Sequence, residues 1–336
     1  MWTWLTFGTR NPIYALTTPA TPLNDAHPAG FLLPQAKPTF TKPALSVADQ
    51  IALLAGRGLV VPDTVLARRW LEAIGYFRLS GYMLPFQRGG RGPDRHMFRP
   101  GTTFGTILDL YNFDRHLRLA TMDAVERVEV GFRAAITDTM AVAYGPHWFL
   151  DPARFAPHAD HGRLLTKIQE DIGHDPRDAH RRDTAIRHYY AAYGAPPLPP
   201  SWMVFEVLSF GTVSQTFRLL ERRSKRRIAG RLGVPDVVLD SWAHAISYTR
   251  NLCAHHARLW NRVFTIKPMV ARAYQADLMP NTTFYAQAVA IQGLLRSLPA
   301  GQDWPTRLDS LFVAHPHIRP LDLGFPTGWR SRPAWR

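Results

Sequence analysis

The feature that most constrains this chain is a helical pattern from near Thr103 to about Tyr144, in which Ile107, Leu108, Tyr111, Leu117, Met122, Val125, Phe132 and Ile136 mark an apolar face. It reads as one long helix or as two broken in the middle. Its polar positions include Asp114 with Arg118, Asp123 with Arg127, and Glu129 with Arg133. Each pair is four residues apart with the acid first, the favourable order on a helix, and reads as a salt-bridged helix face.

Shorter helical segments flank it. Ser46 is placed to cap a helix carrying Ile51, Leu53 and Leu54, and a second runs from about Val65 through Trp70, Leu71 and Ile74, closed by residues 75–82. Beyond a Gly-rich, charged loop at 88–96 and the long pattern, helices are expected over Trp202 to Leu208 and, after a break at Ser209-Phe210-Gly211, over Val213 to Leu220. Further helices are expected over about 240–262, Met269 to Ala276 and Tyr285 to Leu295. No strand set and no repeat of 20–50 residues emerges, so the fold class is all-α. The expected organisation is an extended lead (1–40, with six prolines), an N-terminal helical region (41–155), an Arg/His/Pro-rich linker (156–200) ending in the stiff segment Pro196 to Pro200, a second helical region (201–300), and a Pro/Arg-rich tail (301–336).

The formal net charge is +14, and arginine supplies 35 of the 40 basic residues. Such an excess attracts polyanions, and the planar guanidinium fork matches phosphate oxygens, so nucleic acid is the leading partner; GC-rich codon usage is the competing cause of the arginine bias. The densest basic cluster is Arg222, Arg223, Lys225, Arg226 and Arg227. One cysteine, Cys253, excludes an intramolecular disulfide and any cysteine-rich metal site, and suits a reducing cytoplasm. No uncharged apolar run approaches the roughly 18 residues of a membrane span, so no membrane association is expected. Phosphate-binding glycine loops, a Gly-x-Ser-x-Gly elbow, Cys-x-x-Cys and His-Glu-x-x-His are all absent, which removes the commonest enzyme classes. No cofactor or metal is expected.

What remains is the stretch 250–262. An arginine and a histidine separated by four residues carry no signal alone, since Arg91 and His96 show the same spacing in the charged loop. If 241–262 is one helix, however, Arg250, Asn251, Arg258, Asn261, Arg262, Ser247, Ala254 and His255 fill one sector of about 140°. His256 falls on the apolar side among Trp242, Leu252, Cys253 and Leu259, and is read as a hydrogen-bonded core histidine. A face of arginines, asparagines and one histidine suits phosphate chemistry: arginine stabilises phosphoryl oxygens and histidine transfers protons near neutral pH. RNA fits better than DNA, because its 2′-hydroxyl is a nucleophile already beside the phosphate, whereas DNA hydrolysis usually needs a metal held by carboxylates. A basic phosphate-binding face without catalysis remains the alternative.

The run Arg250-Asn251-x-Cys253-Ala254-His255-His256-x-Arg258-Leu259-Trp260-Asn261-Arg262 resembles the signature of the Abi-like family, related to phage-defence proteins of the abortive infection D and F type. Supporting blocks are Lys42 to Ser46 with Gln50, Tyr76 to Tyr82, Phe104 to Arg118, Glu126 to Arg133, Tyr144 to Pro146, Trp202 to Gly211, and Leu323 to Pro326 with Trp329, so the resemblance spans about 40–335. It implies a HEPN-like helical bundle with additional N-terminal helices, in which Arg250 and His255 match the Arg-x4-His motif and Asn251 the polar position after the arginine. It further implies metal-independent RNA cleavage leaving a 2′,3′-cyclic phosphate and a 5′-hydroxyl. Arg91 and His96 lie in the Gly-rich charged loop without the accompanying residues, which leaves one convincing copy of the motif, so a homodimer would complete a composite site. Some relatives are associated with a small non-coding RNA that restrains a toxic activity. The expected RNA-binding residues are Arg258, Arg262, Asn261 and the 222–227 cluster, while Glu126, Arg133 and Glu206 are assigned to core or interface ion pairing. The competing functions are a non-catalytic RNA-binding or RNP protein and, on net charge alone, a DNA regulator.

Overall fold

A computed structural model of the protein describes residues 39–299 and 303–336. The chain divides into two units, Met1–Leu45 and Ser46–Arg336. Of the first, residues 39–45 are exposed and carry no helix; the expectation for residues 1–38 lies outside the described residues. The second is built from α1 (Val47–Gly56), α2 (Thr64–Ile74), α3 (Tyr76–Met83), α4 (Phe104–Tyr144), α5 (His161–Asp171), α6 (Thr184–Ala192), α7 (Ser201–Val207), α8 (Phe210–Leu219), α9 (Arg222–Arg231), α10 (Asp236–Ala254), α11 (Phe284–Leu295) and α12 (Trp304–Ala314), with short 3-10 turns between them. No strand occurs among the described residues, and the fold is all-α.

The long pattern is one helix. α4 runs unbroken for 41 residues, about 60 Å at 1.5 Å per residue, from Thr103, whose hydroxyl accepts the Thr106 N–H at 3.1 Å, to Gly145 at φ 87°. It is the axis of the fold: α3, α7, α9, α10, α11 and α12 all pack against it. α10 lies on α4, α8, α9 and α11. α11 is buried at every position, which suits a helix without a charged residue, and its Gln287 is satisfied by Thr249 and the Ile266 carbonyl. Gly293 permits its close approach to α10, since a β-carbon there would come within 2.5 Å of the Trp242 ring.

Several sequence expectations change. Residues 75–82 do not merely close α2: Gly75, at φ 86°, separates it from the independent helix α3. Ser209 is a cap rather than part of a break, its hydroxyl accepting the Thr212 N–H at 3.1 Å, so α8 begins at Phe210. Residues 269–276 form only a 3-10 turn at Arg272–Tyr274, because side chains of α10 take the backbone groups of Met269: its N–H donates to Ser241 Oγ at 2.8 Å and its carbonyl accepts Trp242 Nε1 at 3.0 Å. The segment 156–200 is not a separating linker. It carries α5 and α6, buries Leu164, Ile168, Ile186 and Leu198, and belongs to the same compact unit as both flanks. Residues 303–336, expected only as a Pro/Arg-rich tail, carry α12 and then bury Phe325 and Trp335 against Tyr285 of α11, with Trp329 packed on both. Among the described residues no helix is long and apolar enough to cross a membrane.

Candidate active site

The candidate motif lies where α10 stops. The helix does not continue to 262 but ends at Ala254 in a Schellman turn: the His256 N–H donates to the Cys253 carbonyl at 3.0 Å and the Ala257 N–H to the Leu252 carbonyl at 2.8 Å. His256 occupies the left-handed position, φ 55°, that glycine usually fills. The shared-face expectation for residues 250–262 therefore holds only as far as the helix does, and the core assignment of His256 is overturned, because the turn carries its side chain to an exposed position.

The exit turn is held by α3 and α4. Asp114, fully buried, accepts the Leu259 N–H at 3.0 Å, the Trp260 N–H at 2.7 Å and the Tyr82 hydroxyl at 2.7 Å, and pairs with Arg118. Burial, then the Asp114 charge, hold the Tyr82 phenol far above its ordinary range, so it stays a neutral donor. Arg78 of α3 donates to the His256 carbonyl at 2.9 Å, and Arg258 donates to the Gly81 carbonyl. Sequence reasoning missed these roles of Asp114 and Arg78. The signal available was that the Tyr76–Tyr82 and Asp114–Arg118 blocks accompany the motif.

Arg250 is positioned from α4. Its Nε lies 3.8 Å from Glu129 Oε2, and the Nε atom is buried without a hydrogen bond, while 37 % of the side chain is exposed. Glu129 also pairs with Arg133, which donates to the carbonyls of Phe205 and of Glu206, the latter at 3.1 Å. A positive group there satisfies the C-terminal end of α7. Glu126, Glu129, Arg133, Glu206 and Arg250 line one cavity of about 300 Å³. Arg133 thus ion-pairs as expected, whereas Glu126 and Glu206, with no ion pair among the described residues, face the cavity beside Arg250. Glu129→Ala should release Arg250, leave Arg133 with only its backbone acceptors, and lower stability by about 1–3 kcal/mol; an unchanged urea midpoint would show that Glu129 contributes nothing to holding them.

His255 is the C-cap of α10 and exposed, and its ring has no hydrogen bond or ion pair among the described residues. Asn251, also exposed, lines a different cavity, of about 510 Å³, with His244 and Ser247. Arg258 is half-buried and taken up by Gly81; Arg262 donates to the Arg258 carbonyl at 2.6 Å; Asn261 is exposed at φ 45°. Arg222, Arg223, Arg226 and Arg227 lie exposed on α9, but Lys225 turns inward to Asp240 at 3.0 Å. Asp240 precedes Arg250 by ten helical residues, about 15 Å, so the basic cluster and the motif are not brought together. Among the described residues no group of three or more His, Cys, Asp or Glu is arranged to hold a metal ion.

The model of the Abi-like protein family matches residues 69–261, more than half of the chain. The match runs from α2 through the exit turn and so includes Arg78, Asp114, Glu129, Arg250 and His255. No curated protein and no solved structure matches.

Proposed function

The chain belongs to the Abi-like protein family, and from that premise we propose that it is an endoribonuclease of the HEPN type, acting in abortive infection as a toxin-like defence protein. The observation that carries this reading is the pairing, at one end of α10, of an exposed histidine with no partner for its ring and an arginine held by Glu129 with part of its guanidinium open to solvent. A structural histidine or arginine would be consumed by its neighbours, as Arg258 is.

The chemistry needs few parts. The 2′-oxygen attacks the adjacent phosphorus while its proton passes to a base; the 5′-oxygen leaves and takes a proton from an acid; the products are a 2′,3′-cyclic phosphate and a 5′-hydroxyl. His255 supplies one proton transfer and Arg250 stabilises the charge growing on the non-bridging oxygens. One histidine per chain performs one transfer, and a second copy of the chain supplies the other, which is the reason to expect a homodimer. Asn251 orients the substrate from the neighbouring groove.

Incubating the purified protein with end-labelled single-stranded RNA in EDTA tests the reading. Cleavage leaving cyclic-phosphate ends is expected, while cleavage that stops on chelation, or that leaves only linear 5′-phosphates, would overturn it. The exposed arginines of α9 support a second reading, an RNA-binding protein without catalysis. That reading expects tight, salt-dependent RNA binding with no cut ends at any enzyme concentration.

A further inference from the structure

The cavity at Arg250 has a larger neighbour. Between α2, α3, α4 and the exit turn of α10 lies a cavity of about 650 Å³, against about 300 Å³ beside Arg250, and Met122 lines both, so the two adjoin. Its polar lining is Arg78, Arg115, Arg118 and His256 around Tyr111, with no carboxylate. Arg118 is neutralised by Asp114, and Arg78 spends one nitrogen on the His256 carbonyl. Arg115 is exposed and has no hydrogen bond or ion pair among the described residues. Two cationic heads are therefore left uncompensated in a concave site whose size is that of a small-molecule pocket. The left-handed conformation of His256, which few side chains adopt, keeps its side chain at this cavity instead of in the apolar sector where a continued helix would have put it. Cys253 also lines the site, but burial pushes its thiol up to about 12, so it is not a nucleophile there.

We propose that this cavity is a nucleotide subsite, taking a nucleoside monophosphate unit with its phosphate on Arg115 and Arg78, its base against the Tyr111 ring, and a hydrogen bond from His256. Uncompensated guanidinium groups select the phosphate, and a ring on a shared wall selects a flat base. The proposal takes from the nuclease reading only that the polymer is RNA; the subsite would then hold a nucleotide flanking the scissile bond through the Met122 junction. A free nucleoside monophosphate carries the same groups and is the other possible source.

The full-length His255→Ala protein, used so that RNA is not consumed, is titrated into a fluorescent ribohexanucleotide, alone and carrying Arg115→Gln or Arg163→Gln. Arg163 is exposed on α5, outside the cavity, and controls for loss of one positive charge. Because Arg115 is exposed and has no hydrogen bond or ion pair among the described residues, its replacement should leave the thermal midpoint unchanged. Arg115→Gln is expected to weaken binding about tenfold, as for loss of a charge-assisted phosphate contact, and Arg163→Gln far less. Equal losses in the two variants, or none, overturn the proposal. Competition by saturating AMP, GMP, CMP or UMP that disappears in Arg115→Gln identifies the free nucleotide as a ligand; no competition, with the Arg115 effect intact, identifies a unit of the chain. A wild-type protein that never cuts RNA yet shows the Arg115 effect loses the nuclease reading and keeps the subsite. One that cuts RNA without the Arg115 effect does the reverse.

Discussion

Replacing His255 by alanine is expected to slow RNA cleavage by about 100- to 10,000-fold, the contribution typical of a positioned proton-transfer group. Stability should be almost unaffected, because the ring is exposed and bonds to nothing that the fold needs. Its backbone N–H donates to the Asn251 carbonyl at 3.0 Å, an interaction alanine keeps. This separation of effects is what distinguishes the motif from its surroundings: Arg258, four residues before Arg262 in the same run, is committed to the Gly81 carbonyl, and removing it should cost stability first. Single-turnover cleavage, read beside the urea midpoint of the same preparation, checks both halves of the expectation. Wild-type cleavage by the purified variant would end the assignment of His255, and a large fall in stability would make any loss of activity uninformative about chemistry. In a homodimer the two histidines would share the two proton transfers, so mixing the variant with wild-type chains should lower activity more than simple dilution does.

The long helix α4, the body of α10 and the all-α class were legible because apolar periodicity over many residues leaves few alternatives, although α10 starts at Asp236, four residues before the expected position 240. The end of α10 was not. A Schellman turn is usually announced by glycine, and here a histidine holds the left-handed position, supported by Arg78 from α3. Continuing the wheel past Ala254 then assigned His256 to the core and kept Arg258, Asn261 and Arg262 on the catalytic face. The pair Asp114–Arg118 illustrates a second blindness: acid-first spacing on a helix looks the same whether it faces water or, as here, a packed turn 145 residues away in sequence. Pro196 to Pro200 misled for a related reason. A stiff run reads as a spacer, but Leu198, Pro199 and Pro200 are buried, and the next residue, Ser201, donates its N–H to the Pro146 carbonyl at 2.8 Å just beyond the end of α4. What sequence could offer at the site was identity, Arg250 and His255; their anchoring is set by long-range partners.

Of those partners Asp114 carries the most, and Asp114→Ala is expected to destabilise the protein by about 3–5 kcal/mol, the cost of breaking a buried ion pair from one side. Alanine would leave Arg118 buried and charged, with the Tyr82 hydroxyl at 3.3 Å as its one remaining hydrogen-bond partner among the described residues, and would strip the Leu259 and Trp260 N–H groups of their acceptor. Each orphaned buried donor adds a penalty of about 1–3 kcal/mol where water cannot reach it, though relaxation of the turn keeps such terms from summing. Against a total stability of about 5–15 kcal/mol this is a large fraction. The damage should also be directional. The groups released are those that close the chain back after His256, so amide exchange at Leu259 and Trp260 should accelerate more than exchange within α11, which is buried at every position and holds its own helical hydrogen bonds. Asp114→Asn separates charge from geometry: the amide oxygen still accepts from the two backbone N–H groups, while Arg118 loses its counter-charge. The expected order of urea midpoints is wild type, then Asp114→Asn, then Asp114→Ala, with cleavage following the same order because the turn that ends at the exit from His255 is no longer fixed. An Asp114→Ala protein that unfolds at the wild-type urea concentration would mean that the buried carboxylate does not hold the turn, and the anchoring of the motif would have to come from Arg78 and Arg258 alone.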